Sequence, residues 1–287
     1  MTGAAALRRY AGRGEADTGG ALSPGPPSRP LSRLTRTAQD GLAVAWRNLI
    51  GLRRVPRLLV FSTIQPLVFV LMFRYVFGGV VSPALHGVSY VDFLIPGIFV
   101  QTAVFGAMNT AIGLATDMQT GLMERFRSLP MARSAVLVGR TLADLVRNVF
   151  VVALMTAVGF AIGFRIHAGV PAFLCGILLV LAFGFAMSWI FAVVGMAVGD
   201  PETAQAAAFP VLAPLVFASA AFIPVNTMPG WLQAFAQHQP VSRTAEAVRA
   251  LVLGGPTVND VWQALAWDAG IVAVFAPLGV WLYRRAV

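Results

Sequence analysis

The chain contains six segments of mostly apolar residues, each about 20 residues long or longer. A helix needs about 20 apolar residues to cross the hydrocarbon core of a bilayer. Because 57% of the residues are hydrophobic and only 11% are charged, the polar surface is too small to cover a water-soluble globule. We therefore expect an all-α integral membrane protein with six transmembrane helices. The predicted spans are Leu58 to Phe77, Asp92 or Phe93 to Thr116, Leu142 to Phe164, Pro171 to Val198, Thr203 to Phe222, and Val261 to Tyr283.

The residues before the first span divide into two parts. Residues 1–36 are rich in Gly, Ala, Pro and Arg, a composition typical of a disordered tail. Residues 37–55 have helical periodicity, with Leu42, Trp46 and Leu49 on one face. This pattern predicts an amphipathic helix lying along the membrane surface, with a plain water-exposed helix as the alternative. Residues 56–287 then form the membrane domain.

The distribution of arginine predicts the orientation. The chain has no lysine, and 16 arginines fall in segments on the N-terminal side of the membrane against three on the other side. Cytoplasmic loops carry the excess of positive charge, so both termini are predicted in the cytoplasm, with the chain in the plasma membrane. The net charge of +9 is explained by topology, and nucleic acid is not expected as a partner.

The segment between the last two predicted spans, and the last span itself, differ from the simple pattern of a membrane-spanning helix. Two short helical patterns, Trp231 to Gln237 and Ser242 to Leu253, are separated by Pro240. Each is too short to cross the bilayer, so we expect a re-entrant hairpin in the outer leaflet between helices five and six. Asp268 interrupts the last span. If this residue lies outside the bilayer, the remaining apolar stretch is too short to cross without thinning the membrane.

The loop between the second and third spans contains a short amphipathic pattern. Leu122, Phe126 and Leu129 fall on one helical face and Pro130 ends the pattern. A short cytoplasmic helix with an apolar stripe and a charged rim suits docking into a groove on another protein. A helix that rests on lipid headgroups is the alternative.

Four ordered stretches resemble one family. The loop continues as RFRSLPMARSAVLVGR from Arg125 to Arg140, and QPLVF begins at Gln65 with FGG following at Phe77. FLIPG begins at Phe93, and FIP at Phe222 is followed by MPGWL at Met228. Together these motifs resemble the type-2 ABC exporter permeases and, among them, the daunorubicin/doxorubicin-resistance permeases. The resemblance covers the chain from about Leu42 to its C-terminus.

The resemblance implies a cytoplasmic coupling helix and an outer hairpin. The residues matching the ATPase-coupling loop are Asp117, Leu122, Glu124, Arg125, Phe126, Arg127 and Leu129. The outer hairpin corresponds to residues 224–255, with Pro224, Pro229, Trp231 and Pro240 as its characteristic positions. Asp268 inside the last span departs from the family pattern.

The implied function is that of the membrane-spanning subunit of an ATP-driven exporter of hydrophobic drugs, anthracycline- or polyketide-like. Lipid or glycolipid export by the same machinery is the alternative. A phosphate-binding loop needs a lysine, so ATP and Mg²⁺ are expected on a separate ATPase chain. This chain is then a transport subunit, binds no cofactor directly and is no enzyme. Since one six-span subunit forms half a path, a second copy is expected, as a homodimer rather than a heterodimer.

Two other classes of protein compete with this interpretation. An intramembrane enzyme is disfavoured because Gly199-Asp200 has no second buried aspartate in a span and no Gly-x-Ser-x-Gly motif occurs. A stand-alone proton-coupled carrier needs ionisable groups near the midplane, whereas Asp268 and Arg74 are both predicted near the outer end. The three histidines lie in different outer loops without metal-ligand spacing, so no metal site is expected.

Some residues inside the spans are candidates for a substrate path. They are the polar residues Gln65, Gln101 and Asn109 and the aromatic residues Phe69, Phe99 and Phe105. Polar groups in a membrane usually face a bundle interior or cavity, although interhelical hydrogen bonding explains them equally simply. Asp144 and Arg147 are predicted to pair at i, i+3, and Asp200 is predicted to cap the fifth helix.

Overall fold

The computed structural model describes residues 56–85, 87–121 and 133–286. The N-terminal tail, the amphipathic helix and the coupling helix predicted from sequence lie outside these residues. The described part is helical and contains no strand. Its longer helices are α1 (Pro56–Met72), α2 (Tyr90–Gln119), α3 (Arg133–Ala161), α4 (Val170–Val198), α5 (Pro201–Phe217), α6 (Gly230–His238), α7 (Pro240–Leu253) and α8 (Val258–Ala286). A π-helical turn, Phe73–Phe77, and a single α-turn, Gly78–Val81, extend α1.

Five helical stretches of the described residues are long and apolar enough to cross a membrane. They are Ile64–Val81, Tyr90–Gln119, Asp144–Ala161, Val170–Val198 and Val258–Tyr283. These stretches coincide with the first four predicted spans and the last one, which agrees with an integral membrane protein. Helix α5 has 17 residues and falls below the length of the other five.

Helix α5 ends earlier than the sequence predicts. The apolar pattern continues to Phe222, but Ala218 leaves the helix with φ −92° and ψ 44°. The N-terminal cap is as predicted, because the Asp200 carboxylate accepts a 2.8 Å hydrogen bond from the Thr203 N–H and Pro201 is the first helical residue. Residues 218–222 instead form a non-helical segment whose backbone groups bind other parts of the chain.

Helix α2 forms the centre of the bundle and packs against α3, α4, α5 and α7. Two glycines allow its backbone to approach its neighbours closely. A Cβ at Gly97 would overlap the carbonyl oxygen of Ala221, and one at Gly195 on α4 would overlap that of Ala111. Gly195 therefore serves packing within one chain.

The two short helices predicted for the outer hairpin are present as α6 and α7, with nine and 14 residues. At 1.5 Å per residue each is about 21 Å long or less, shorter than the hydrocarbon core. Helix α8 runs without a break through Asp268. That this residue lies near the outer end stays a prediction; Asp268 follows Val258 by ten positions, or about 15 Å along the axis of α8.

Candidate functional site

A cavity of about 280 Å³ lies between α1, α2 and α3. It adjoins the middle of α2, where positions three and four residues apart share one helix face. Its wall contains amide and hydroxyl groups as well as apolar side chains, so the cavity can contact a ligand that has both polar and apolar parts. The lining residues are Gln65, Pro66, Thr102, Phe105, Gly106, Met108, Asn109, Arg147, Asn148 and Val151.

Three of the six predicted path residues meet in this cavity, namely Gln65, Phe105 and Asn109. Phe69 lies next to it, with its ring centroid 6.4 Å from that of Phe105. The Phe69 ring also belongs to a cluster of aromatic rings with Phe73, Phe217 and Phe222. This cluster connects α1 to the outer end of α5.

The other two predicted path residues lie elsewhere. The Phe99 side chain is fully buried and makes edge contacts with Phe164 and Phe173. Gln101 is 1% exposed, and its Oε1 has no hydrogen-bond partner among the described residues. Neither residue lines the cavity.

Arg147, the charged residue of the cavity wall, is neutralised by a neighbour on its own helix. Arg147 and Asp144 form the predicted ion pair, with Nη2 and Oδ1 3.1 Å apart. Thr110 donates a hydrogen bond from Oγ1 to the same carboxylate, and Arg147 donates one of 2.6 Å to the carbonyl oxygen of Gly106. A charge buried in a membrane protein requires such partners. The cavity therefore presents a guanidinium whose charge is already balanced.

Asn148 is a cavity residue that the sequence analysis missed. It is 3% exposed and lies between two glycines. A Cβ at Gly106 would overlap its Oδ1, and a Cβ at Gly184 would lie 3.0 Å from its Nδ2. These glycines make room for the amide. The sequence does indicate Asn148, because it is an uncharged polar residue next to Arg147 inside a predicted span.

The cavity wall has the chemistry of a site for a largely apolar molecule with a few polar groups. Phe105 and Met108 supply apolar contact, while Asn109 and Asn148 offer amide donors and acceptors. The Thr102 hydroxyl has no hydrogen-bond partner among the described residues. The volume lies just below the range of about 300–1000 Å³ that is typical of small-molecule sites.

The second part of the site is named the outer closure, for the side of the membrane on which the sequence predicts it. It consists of residues 218–222 and the side chains that bind them, which belong to α7 and to Gln239 directly before it. Gln239 donates to the carbonyl oxygen of Ala218, Ser242 Oγ accepts from the Ala220 N–H at 2.9 Å, and Arg249 donates to the carbonyl oxygen of Ala221 at 2.8 Å. Non-helical backbone at membrane depth is tolerated only when protein satisfies its polar groups, and α7 does this here.

Arg249 also ties the outer closure to α2. Its Nε donates a 2.9 Å hydrogen bond to the carbonyl oxygen of Phe93, and its Cζ lies 3.6 Å from the centroid of the Phe93 ring. The residue is only 7% exposed, and burial lowers the pKa of Arg249 to about 9. The guanidinium is therefore still charged at neutral pH. The sequence pattern counted this residue only as an arginine of an outer segment.

The characteristic hairpin residues occupy element boundaries. Pro224 precedes the 3₁₀ turn Val225–Thr227, and Pro229 precedes α6. Pro240 is the buried first residue of α7, whereas Trp231 on α6 is 77% exposed. Of the coupling residues, Asp117 lies in the last turn of α2. The remaining coupling residues, Leu122 to Leu129, lie outside the described part of the chain.

The histidines form no metal site in the part of the chain that the structure describes, where no three His, Cys, Asp or Glu side chains are grouped. His167 and His238 are both exposed. The Nδ1 of His238 lies 2.8 Å from the carbonyl oxygen of Ala234, and His86 is outside the described residues.

Comparison with known proteins agrees with this arrangement. Residues 40–253 match the family model described as ABC-2 type transporter. The chain is 38% identical over 240 residues to the daunorubicin resistance ABC transporter permease protein DrrB1 of Streptomyces coeruleorubidus, covering 84% of each chain. It is 30% identical over 254 residues to the probable doxorubicin resistance ABC transporter permease protein DrrC of Mycobacterium tuberculosis, covering 88% of this chain and 86% of that one.

A more distant relative shows how widely the pattern extends. The chain is 27% identical over 225 residues to the putative transport permease ycf38 of Cyanophora paradoxa, covering 74% of each chain. The resemblance found in the sequence motifs is confirmed by these matches. The apolar helices, the short outer hairpin helices and the family match lead to one conclusion: the chain belongs to the ABC-2 type transporter family and is a permease.

Proposed function

We propose that the chain is the membrane-spanning subunit of an ATP-driven exporter that moves hydrophobic, anthracycline- or polyketide-like drugs out of the cell. The observation that carries this proposal is the 38% identity, over 84% of both chains, to a permease named for daunorubicin resistance. The cavity between α1, α2 and α3 supports it, because its wall combines an aromatic ring with uncharged polar groups.

ATP hydrolysis takes place on a partner chain in this proposal. The sequence has no lysine, and the phosphate-binding loop of such ATPases requires one. ATP and Mg²⁺ therefore bind to a separate ATPase subunit, which docks on the cytoplasmic helix from Leu122 to Leu129. In this arrangement α5 with residues 218–222 completes a sixth crossing, both termini lie in the cytoplasm, and the plasma membrane holds two copies as a homodimer.

The energy reaches the cavity through α3. This helix begins at Arg133, directly after the proposed coupling segment, and carries Arg147 and Asn148 in the cavity wall. Movement of the coupling segment displaces the start of α3 and, with it, the ion pair that holds α3 to Gly106 and Thr110 of α2. The cavity changes shape when these contacts change, and this moves the substrate toward the outer closure.

The test is drug efflux from cells of a strain that lacks its own drug pumps. The permease is produced with its ATPase subunit, and cellular doxorubicin is followed by its fluorescence. We expect ATP-dependent efflux and at least a fivefold loss with Asn148→Leu, which replaces the cavity amide with an apolar group of similar size. Val146→Leu is the matched control, since Val146 is an exposed apolar residue of the same helix.

The outcomes separate the alternatives. Efflux that continues with an inactive ATPase subunit would indicate a stand-alone carrier and contradict the proposal. If doxorubicin is not exported but a labelled lipid moves in an ATP-dependent way, the substrate is a lipid and not the drug.

Docking of the ATPase is tested separately at the coupling helix. Phe126→Asp places a charge in the apolar stripe, so ATP hydrolysis should continue without transport, while Phe126→Leu should transport as the wild type does. Normal transport by Phe126→Asp would contradict the docking model.

A further inference from the structure

A row of phenylalanine rings leads from the cavity between α1, α2 and α3 to the outer closure. Phe105 lines the cavity, and its ring centroid lies 6.4 Å from that of Phe69 on α1. The Phe69 centroid lies 5.8 Å from that of Phe222 and 6.0 Å from that of Phe73, with interplanar angles of 26° and 19°. We call the rings that continue this row the aromatic ladder, and its members are Phe69, Phe73, Phe77, Phe217 and Phe222.

The tightest contact of the aromatic ladder joins Phe73 to Phe222. Their ring centroids are 4.3 Å apart, and their planes are 9° from parallel. This separation lies just below the range of about 4.5–7 Å that is typical of aromatic pairs, so the two rings leave no space between them. Phe73 is 7% exposed and Phe222 is 3% exposed. A molecule that moves along the aromatic ladder must therefore separate these two rings.

The backbone at Phe73 differs from the rest of α1. Phe73–Phe77 form a single π-helical turn, and the rings of Phe73 and Phe77 stack with their centroids 5.1 Å apart. Such turns inside α-helices are rare and frequently occur at functional sites. Phe77 is 37% exposed, so the aromatic ladder runs from the cavity to a ring at the surface of the described chain.

Two hydrogen bonds hold the backbone at Phe222 in place. The Tyr90 hydroxyl donates a 3.1 Å hydrogen bond to the carbonyl oxygen of Phe222, and Arg249 donates one of 2.8 Å to that of Ala221. Tyr90 belongs to α2 and Arg249 to α7, so two helices fix this side of the stack. Phe73 forms the other side, at the irregular turn of α1. We therefore expect the stack to open on the Phe73 side.

We propose that the aromatic ladder is the exit path of the cavity and that the stack of Phe73 on Phe222 is its gate. The gate opens when the π-helical turn moves Phe73 away from Phe222, and a flat aromatic molecule then stacks on the freed face of each ring. Because contacts between the rings are replaced by contacts with the guest, little stacking energy is lost. A saturated molecule of the same size has no aromatic face and cannot replace these contacts. The gate therefore selects flat aromatic molecules over other apolar molecules.

This inference rests on the proposed export function only for the direction of movement, since binding to the aromatic ladder requires neither ATP nor transport. Absence of drug efflux would therefore contradict the proposed function and leave a positive binding result standing. A negative binding result would overturn the gate and leave the proposed export of drugs untouched.

The test measures binding by the full chain in lipid nanodiscs without ATP. The photolabel is 1-azidopyrene, a flat uncharged arene, and the labelled peptides are identified by mass spectrometry. The two competitors share one carbon skeleton, since anthracene is flat and aromatic and perhydroanthracene is its saturated form. We expect residues 69–77 and 217–222 to be labelled. Anthracene should halve this labelling at an about tenfold lower membrane concentration than perhydroanthracene, as stacking on two ring faces would produce.

Labelling elsewhere provides the background. Val274 on α8 is an exposed apolar residue outside the aromatic ladder. Labelling of the peptide that contains it should fall equally with both competitors at equal membrane concentration. A preference for anthracene at this peptide as strong as at the aromatic ladder would overturn the proposal, because the effect would then come from the bilayer.

Variants without a ring decide which residues discriminate. Phe73→Leu keeps an apolar side chain in the stack, and the preference for anthracene should fall to about twofold or less. Phe217→Leu removes a half-exposed ring of the aromatic ladder, so the fold is retained and the preference should also fall. The matched control is Phe160→Leu, since Phe160 is an exposed ring of α3 that contacts Phe164, and it should behave as the wild type.

Three results would overturn the proposal. The first is that the residues of the aromatic ladder are not labelled in the wild type. The second is that both competitors protect them equally. The third is that Phe73→Leu and Phe217→Leu keep the full preference for anthracene.

Discussion

The guanidinium of Arg249 stacks on the ring of Phe93, with its Cζ 3.6 Å from the ring centroid. The same side chain donates to the carbonyl oxygens of Phe93 and Ala221. One residue of α7 thus joins the outer end of α2 to the non-helical segment after α5. Because the planar guanidinium provides several donors in a fixed geometry, no other side chain makes all three contacts at once.

Replacing Arg249 should destabilise the outer closure. Arg249→Met leaves two buried carbonyl groups without donors, each costing about 1–3 kcal/mol, and the thermal midpoint in detergent should fall clearly. Arg249→Lys should be intermediate, since an ammonium group keeps the charge but lacks the planar fork. The matched control is Arg243→Met on the same helix, where a half-exposed pair with Glu246 contributes about 1 kcal/mol or less. Equal midpoints for Arg249→Met and Arg243→Met would contradict this role.

Gly97 should tolerate no side chain. A Cβ there would overlap the backbone of Ala221, and a backbone contact cannot move aside as a flexible side chain can. We expect Gly97→Ala to lower the free energy of unfolding by about 3 kcal/mol, the upper part of the range for overpacked cores. Gly270→Ala is the control because the space around Gly270 on α8 is empty, and alanine there should gain about 0.5–1 kcal/mol. The comparison is made by thermal unfolding, and a stable Gly97→Ala protein would refute the close approach.

The pair of Asp144 and Arg147 should show strong coupling in a double-mutant cycle. Each side chain is nearly buried, with 13% and 12% exposed, so removing one partner leaves the other charge uncompensated. We expect the separate losses of stability from Asp144→Leu and Arg147→Met to add up to more than the loss from the double variant. The difference, the coupling energy, should be about 0.5–3 kcal/mol. Strictly additive losses in thermal unfolding would show that the two side chains act independently.

The cap of α5 should make stability depend on pH at the acidic end. The Thr203 backbone N–H and hydroxyl hold the pKa of Asp200 below its usual 3.8. A lowered pKa in the folded state means that the cap stabilises the protein above about pH 3.8 and is lost as the pH falls through the folded-state value. Asp200→Asn keeps an acceptor without the titration. Melting curves between pH 7 and pH 3 should show a smaller loss for Asp200→Asn than for the wild type, and parallel losses would disprove the role of this carboxylate.

Much of the fold could be predicted because the relevant signals are local. An apolar run of sufficient length specifies a membrane helix regardless of its neighbours, which accounts for α1 to α4 and α8. The pair of Asp144 and Arg147 follows from i, i+3 spacing alone. The Asp200 cap likewise follows from the order of Asp, Pro and Thr at the start of α5.

What could not be predicted depends on contacts between distant helices. The end of α5 is one such feature, since the apolar pattern continues to Phe222, whereas the earlier end at Phe217 depends on partners that α7 provides. The composition of the cavity is another, because Gln65, Asn109 and Asn148 come from three helices. The continuity of α8 through Asp268 is a third, because a charged residue inside an apolar run does not tell from the sequence alone whether the helix ends there or continues.

The hydrogen bonds of the outer closure also constrain the order in which the chain can mature. The groups that bind Ala218, Ala220 and Ala221 lie 21, 22 and 28 residues later in the sequence. During synthesis the end of α5 therefore leaves the ribosome before the side chains that bind it. A chain that stops before Arg249 leaves the carbonyl oxygen of Ala221 without this donor.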